Sequence, residues 1–222
     1  MPLTAYHRPR YLQKALELLS NSGARVLAGG TTLVPNLPAG VEAVVDLQRL
    51  ELDKIETVGE VLHAGAMVTL QALIDHPETP PLIRETAARE GPNTFRNAGT
   101  LGGVIVSADP ESELLAALLA LGAESSYSGS LLTKVAIPLG GRSATARVAR
   151  TPKDRPIVAA VAHRTEKETR LALCGVADRP ILVDPAEIDS LTPPADFRGS
   201  SEYRKEMARL LAGRVLREVE PS

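Results

Sequence analysis

The 222-residue chain has one cysteine, no tryptophan and only two phenylalanines, Phe95 and Phe197. A lone cysteine, Cys174, excludes an internal disulfide framework, a thiolate-held iron–sulfur cluster and a CxxC redox pair within one chain. If this chain moves electrons, something else must carry them. With aromatics at 3%, there is no stacking platform for single-stranded nucleic acid. Charge of one sign is not in excess: 25 Lys+Arg face 27 Asp+Glu, a formal −2, so no global basic field holds nucleic acid or an anionic membrane. Any anionic ligand has to be held locally. Long apolar runs are missing too, since Leu114 to Ala123 spans about half of the roughly 20 residues a membrane helix needs. Met1 to Arg10 carries prolines and arginines with no apolar core behind them, so no secretory signal is expected and the expected compartment is the cytoplasm.

What is present suits a globular protein. Hydrophobic residues make up 44% and charged residues 23% of a chain long enough for two subdomains. Tyr11 to Leu19 places Leu12, Ala15, Leu16 and Leu19 at helical spacing. Arg25 to Ala28, Val41 to Leu47 and Val61 to Met67 read as strands, with a weaker alternation over Leu50 to Val58. Thr69 is an N-cap for a helix over Leu70 to Ile74, and Pro80-Pro81 opens another that runs to Glu90. Asn93 to Gly103 reads as a glycine-rich loop. Asp109-Pro110-Glu111 caps a helix through Leu114, Leu118 and Leu121 that stops at Gly122. Beyond a boundary at Pro138 to Arg142 come β-like runs over Ala144–Ala149, Ile157–His163 and Thr169–Cys174, the last two forming a hairpin. A long amphipathic helix opens at Ser200-Ser201-Glu202.

Two glycine motifs carry the chemistry. Ala28-Gly29-Gly30-Thr31-Thr32-Leu33 follows a strand, and consecutive N–H groups in such a turn accept a phosphate with threonine hydroxyls as further donors. An ordinary strand-ending turn has the same composition. Arg96-Asn97-Ala98-Gly99-Thr100-Leu101-Gly102-Gly103 lets main chain approach a diphosphate or flat ring, with Asn97 and Thr100 as donors and Arg96 balancing charge. A plain connection between helices is the alternative. Glu113, one turn into the next helix, either serves its dipole or holds ribose hydroxyls. No histidine lies in either motif, and no general base is assigned.

Together these segments resemble the FAD-binding medium subunit of the molybdenum hydroxylases, the carbon monoxide dehydrogenase and xanthine dehydrogenase group. The first motif is similar to that family's AGG[TQH][DS]L loop and the second to its RNxGTxGGN loop. Asp46-Leu47, Leu118 to Glu124, Gly175 to Pro180 and Ser201 to Arg204 agree as well, so the resemblance spans nearly the whole chain.

The resemblance implies an α+β fold. It consists of a two-subdomain FAD-binding domain of the vanillyl-alcohol-oxidase-like (PCMH) type over residues 1–138, split near residue 53. A smaller α+β domain like that of CO dehydrogenase flavoproteins follows over 139–222. It nominates Ala28, Gly29, Gly30, Thr31, Thr32, Leu33, Asn97, Thr100, Gly102, Gly103 and Glu113 as FAD contacts, with no metal and no catalytic side chain. It further implies a hetero-oligomer with an iron–sulfur subunit and a molybdopterin subunit, this chain relaying electrons to an acceptor. Three departures stand out. Val104 occupies a position where the family usually has Asn, Glu113 replaces Asp, and Gly122 to Pro138 is much shorter than its counterpart, leaving the wall beside the flavin ring incomplete. A shortened scaffold subunit that has lost FAD is the reading those departures favour.

Overall fold

The computed structural model describes residues 3–221. Met1 and Pro2, where the expected first domain and the N-terminal targeting expectation begin, and Ser222 lie outside them. Three sheets follow one another along the chain. In the first, β1 (Ala5–His7), β3 (Ala43–Asp46) and β2 (Ala24–Leu27) run parallel in the order β1-β3-β2, backed by α1 (Leu12–Leu19). The apolar face of α1 meets Val45 and Leu47 through Ala15 and its leucines.

The second sheet is antiparallel, in the order β4 (Ile55–Val58), β5 (Val61–Gly65), β7 (Leu131–Pro138), β6 (Glu124–Ser128). Between β5 and β6 lie α2 (Leu70–Asp75), α3 (Pro81–Arg89), α4 (Asn93–Ala98), α5 (Leu101–Ser107) and α6 (Glu113–Leu121). The third sheet is antiparallel as well: β11 (Ile181–Leu182), β10 (Thr169–Cys174), β9 (Val158–Arg164), β8 (Arg142–Val148). A 3-10 helix (Pro185–Ser190) and the long α7 (Ser201–Val219) complete it.

Three local expectations need correction. The loop expected over Asn93 to Gly103 is two short helices broken at Gly99-Thr100, because the Thr100 side chain accepts from Gly103 N–H and starts α5 anew. Asp109 does not cap α6. Its carboxylate takes the Glu111 N–H inside a turn, and Ser112 is the cap, accepting from Leu115 N–H. Between Gly122 and Pro138, where no element was assigned, β6 and β7 form a hairpin turning at Gly129, whose φ is +56°.

The sequence of α6 is apolar on nearly every side, and a helix of that kind must be covered all round. It is: α3 lies against one side, and β9 and β10 against another. Every residue of β9 from Val158 to His163 is buried, and its alternation divides the strand between two cores. Ala159 and Val161 join Leu114 and Leu118, whereas Val158, Ala160 and Ala162 join Ala208, Ala212 and Val215 of α7. Residues 139–141 link β7 to β8, yet the hydrophobic core runs on across that link through α6.

Candidate functional site

Strand β2 ends at Leu27 and releases the chain into Ala28–Leu33. Asp46, at the matching end of β3, is buried and holds that edge together. It accepts from the Tyr6 hydroxyl and from Gln48 N–H and pairs with Arg8 at 3.3 Å. The ladder continues one step further through Leu47 N–H to the Leu27 carbonyl. The chain therefore leaves a fixed platform, and Gly30 turns it with φ +73°. None of the N–H groups from Gly29 through Leu33 donates to a backbone acceptor among the described residues. A row of unpaired N–H groups has the electrostatics of an anion-binding nest.

The second motif meets the first by direct backbone contact. Gly29 packs so tightly on the Ala98 carbonyl that a Cβ there would overlap it. Leu101 and Gly102 N–H groups donate to the Val68 and Ala66 carbonyls at 2.9 Å, fixing the start of α5 on the segment after β5. Gly103 N–H donates to Thr100 Oγ1 at 3.0 Å. Gly102 thus packs directly on Ala66, and the Thr100 hydroxyl, which only accepts from Gly103, keeps its proton for a ligand oxygen. The second loop's Gly99, Leu101, Gly102 and Gly103 amides, unlike those of the first loop, are spent internally.

Both motifs line one cleft of about 380 Å³. Ala28 to Leu33, Thr100, Gly102 and Gly103 come together there, and Asn97 and Glu113 do not. Asn97 is exposed and donates to Asn93 Oδ1 on its own helix. Arg96 is also turned away, bonded to Gln71 Oε1 and the Ala88 and Gly91 carbonyls. The cleft is lined by no charged side chain, so an anion in it is held by N–H dipoles and hydroxyls alone. Sequence reasoning missed Leu47, Met67, Val106, Ser107 and Ser130–Leu132, which complete its walls. Most are apolar residues with no motif to betray them. The tip of the β6–β7 hairpin reaches the first sheet, where Leu131 packs with Ala15, Val45 and Met67. The short Gly122–Pro138 segment therefore still supplies a wall.

Glu113 is redirected by two guanidinium groups. Arg89 Nη1 lies 3.1 Å and Arg147 Nε 3.2 Å from its carboxylate oxygens, at 2% side-chain exposure. Glu90 is buried alongside. Its Oε1 accepts from Ser112 Oγ and Leu114 N–H, capping α6 from outside, and its Oε2 pairs with Arg155. Burial pushes both carboxylic acids above the usual range, outweighing their arginine partners. A carboxylic acid whose folded pKa is raised binds more protons folded than unfolded, so stability falls as pH rises from the ordinary glutamate range through the raised values. Thermal melts across that window should show this slope, and the double variant Glu90→Gln, Glu113→Gln should flatten it.

Val104 lies outside the cleft. It is 7% exposed and packs in the central core. The departure from Asn at this position therefore removes no polar group from the cleft. Val104→Asn would bury an unpaired amide and should cost about 1–3 kcal/mol without tightening FAD binding, as a denaturant melt and an FAD titration would show.

Among the described residues no cluster of His, Cys, Asp or Glu is placed to hold a metal ion, and no helix is long and apolar enough to cross a membrane. The lining suits a dinucleotide: unpaired N–H groups and hydroxyls for linked phosphates, and Leu33, Met67 and Leu131 for an apolar ring.

Comparison with known proteins agrees with that fit. The family model described as the FAD binding domain in molybdopterin dehydrogenase matches residues 2–139. The chain is 28% identical to the glyceraldehyde dehydrogenase medium chain of Sulfolobus acidocaldarius, covering 98% of this chain and 99% of that one. It is 29% identical to the carbon monoxide dehydrogenase medium chain of Afipia carboxidovorans, covering 95% and 94%. Among solved structures, a carbon monoxide dehydrogenase from Hydrogenophaga pseudoflava superposes with a TM-score of 0.86 at 25% identity, covering 98% of this chain and 97% of that one. Quinoline 2-oxidoreductase from Pseudomonas putida 86 gives 0.82 at 25%, with the same coverage. The alignment to the Sulfolobus protein runs over 277 positions against 222 residues here, so at least 55 positions fall opposite gaps in this chain. With the α+β fold, the cleft and the family match in agreement, the chain belongs to the FAD-binding medium subunits of the molybdenum hydroxylases: an FAD-carrying subunit of an oxidoreductase.

Proposed function

We propose that this chain, in the cytoplasm, relays electrons from the iron–sulfur centres of one partner subunit, supplied in turn by a molybdopterin subunit, to an acceptor. FAD supplies the redox chemistry when bound. The protein's part is to hold and orient it. In this reading the N–H groups of Gly29 through Leu33, with the Thr31, Thr32 and Thr100 hydroxyls, receive the diphosphate beside Gly102 and Gly103. Asn97 and Glu113 take no part. The reading divides the chain into an FAD-binding domain over 1–138, with subdomains split near residue 53, and a C-terminal domain over 139–222.

The observation that carries it is the row of unpaired amides in a loop that lines one uncharged cleft together with Thr100, Gly102 and Gly103. The absence of a cysteine set for a cluster fits the division of labour, because the clusters must then reside on another chain. Two measurements test it. Purified protein should be yellow and release FAD on denaturation, while colourless protein that ignores added FAD in a thermal-shift assay would leave only the scaffold reading. In the co-expressed complex, anaerobic substrate addition should bleach the flavin band together with the cluster bands. A flavin that stays oxidised while the clusters are reduced overturns the relay.

A further inference from the structure

Residues 31–40, which follow the first glycine turn, are tied to the rest of the molecule by very little. Among the described residues, Val34 N–H donates to the Gly30 carbonyl at 3.1 Å, Val41 N–H to the Pro38 carbonyl at 3.3 Å and the Asn36 side-chain amide to the Thr32 carbonyl at 3.4 Å. All three bonds stay within residues 30–41. The segment carries no charge to pair, and none of its residues joins a hydrophobic core. Few buried apolar contacts and a backbone open to water mark a segment that moves at little cost in free energy.

Both of its ends can turn. Gly30 has φ +73° and Gly40 φ +84°, and glycine passes between positive and negative φ with no side chain to obstruct it. Between these hinges Pro35 and Pro38 each hold φ near one value, so the segment swings as a stiff piece rather than as a coil. It already forms one side of the cofactor cleft through Leu33, Asn36 and Pro38. Val34 and Leu37, 66% and 43% exposed, are left in water beside them. Two other walls of the same cleft also carry exposed apolar side chains, Val26 of β2 and Val106 of α5. Apolar groups collected at one mouth from three parts of the chain form a surface that gains by being covered.

We propose that residues 31–40 are a strap that swings about Gly30 and Gly40 to close over bound FAD, carrying Val34 and Leu37 toward the apolar rim of Val26 and Val106. The proposal deepens the FAD reading above and rests on it. What lies beneath the strap is the cofactor, because Leu33, Asn36 and Pro38 belong to the wall of the cofactor cleft itself. Leu33 and Pro38 supply apolar contact. Asn36 adds a polar one, since its side-chain carbonyl oxygen and second N–H have no partner among the described residues. FAD then leaves only when the strap opens, so the strap sets the rate of release.

Hydrogen exchange on the full chain with and without FAD tests this. The backbone amides of Asn36, Leu37, Ala39 and Gly40 donate no hydrogen bond among the described residues, and they should exchange at least tenfold more slowly once FAD is bound. The double variant Val34→Ser, Leu37→Ser should release FAD at least tenfold faster, followed by flavin fluorescence. Its FAD-free melting temperature should stay that of the parent, because neither residue belongs to a core. Protection that stops at Leu33, or an unchanged release rate, overturns the strap and leaves FAD binding intact. A chain that takes up no FAD overturns both. Protection of residues 36–40 that appears only with co-expressed partner subunits, and not with FAD, overturns the strap in favour of a docking surface.

Discussion

Gly29→Ala should cost the chain most of its FAD affinity, and it should do so without removing a polar atom. The added methyl would fall inside the Ala98 carbonyl and within 3.2 Å of the Gly99 Cα, so both nearest neighbours are main chain. A side chain could rotate away, whereas this wall can yield only by separating the two loops. Overpacking of this sort typically costs 1–3 kcal/mol, and more where backbone must shift. The separation would also spoil the alignment of the Gly29–Leu33 amides with Thr100. An FAD affinity reduced more than about a hundredfold is expected, roughly 2.7 kcal/mol, read by flavin fluorescence titration. Gly213→Ala is the control. It lies on α7 outside the cleft, and its Cβ would meet nothing nearer than Arg217 Nη1 at 3.7 Å, so FAD affinity should not change. Equal losses for the two variants would show that contact between the loops does not set binding.

Arg204→Met should lower the melting temperature by roughly 10 °C. Arg204 is 3% exposed, yet it lies on the helix opened by the sequence Ser201-Glu202-Tyr203-Arg204. Its Nη1 donates to the Ile157 carbonyl at 2.7 Å and to the Gly175 carbonyl at 2.9 Å, and its Nη2 pairs with Asp196 at 2.8 Å. One guanidinium therefore ties α7 to the entry of β9 and to the turn after β10, where Gly175 has φ +80°. Methionine preserves the apolar stem but leaves the Ile157 and Gly175 carbonyls without their donor, whereas Asp196 keeps the Arg198 side chain and the Arg198 and Gly199 N–H groups. Each buried acceptor left unsatisfied costs about 1–3 kcal/mol, and a chain of this length loses about 2–4 °C per kcal/mol. Differential scanning calorimetry reads the shift. A change under 2 °C would mean that water replaces the guanidinium freely.

Much of this molecule is legible from residue order because its signals are local. The period of Leu12, Ala15, Leu16 and Leu19 is that of α1, and Thr69 caps α2 where expected. The two glycine motifs were visible because backbone approach demands glycine wherever the chain folds. Local signals also mislead. Asp109-Pro110-Glu111 reads as a helix start, yet the neighbouring Ser112 has Glu90 within reach from α3, and the helix begins one residue later at Glu113. Asn93 to Gly103 reads as loop by composition, but contacts with Ala66 and Val68 hold its second half helical despite its glycines.

Residue order alone thus determined the cofactor class and marked the two glycine loops that line one cleft, since each follows from residue type and short spacing. Where the side chains point was decided by folding. Glu113 turns to Arg89 and Arg147, Val104 sinks into the core, and Leu131 arrives from a hairpin to close the cleft. A buried charge must find its counter-charge and a buried amide its acceptor. The partners that satisfy these needs lie far off in the chain, brought near only when sheets and helices pack.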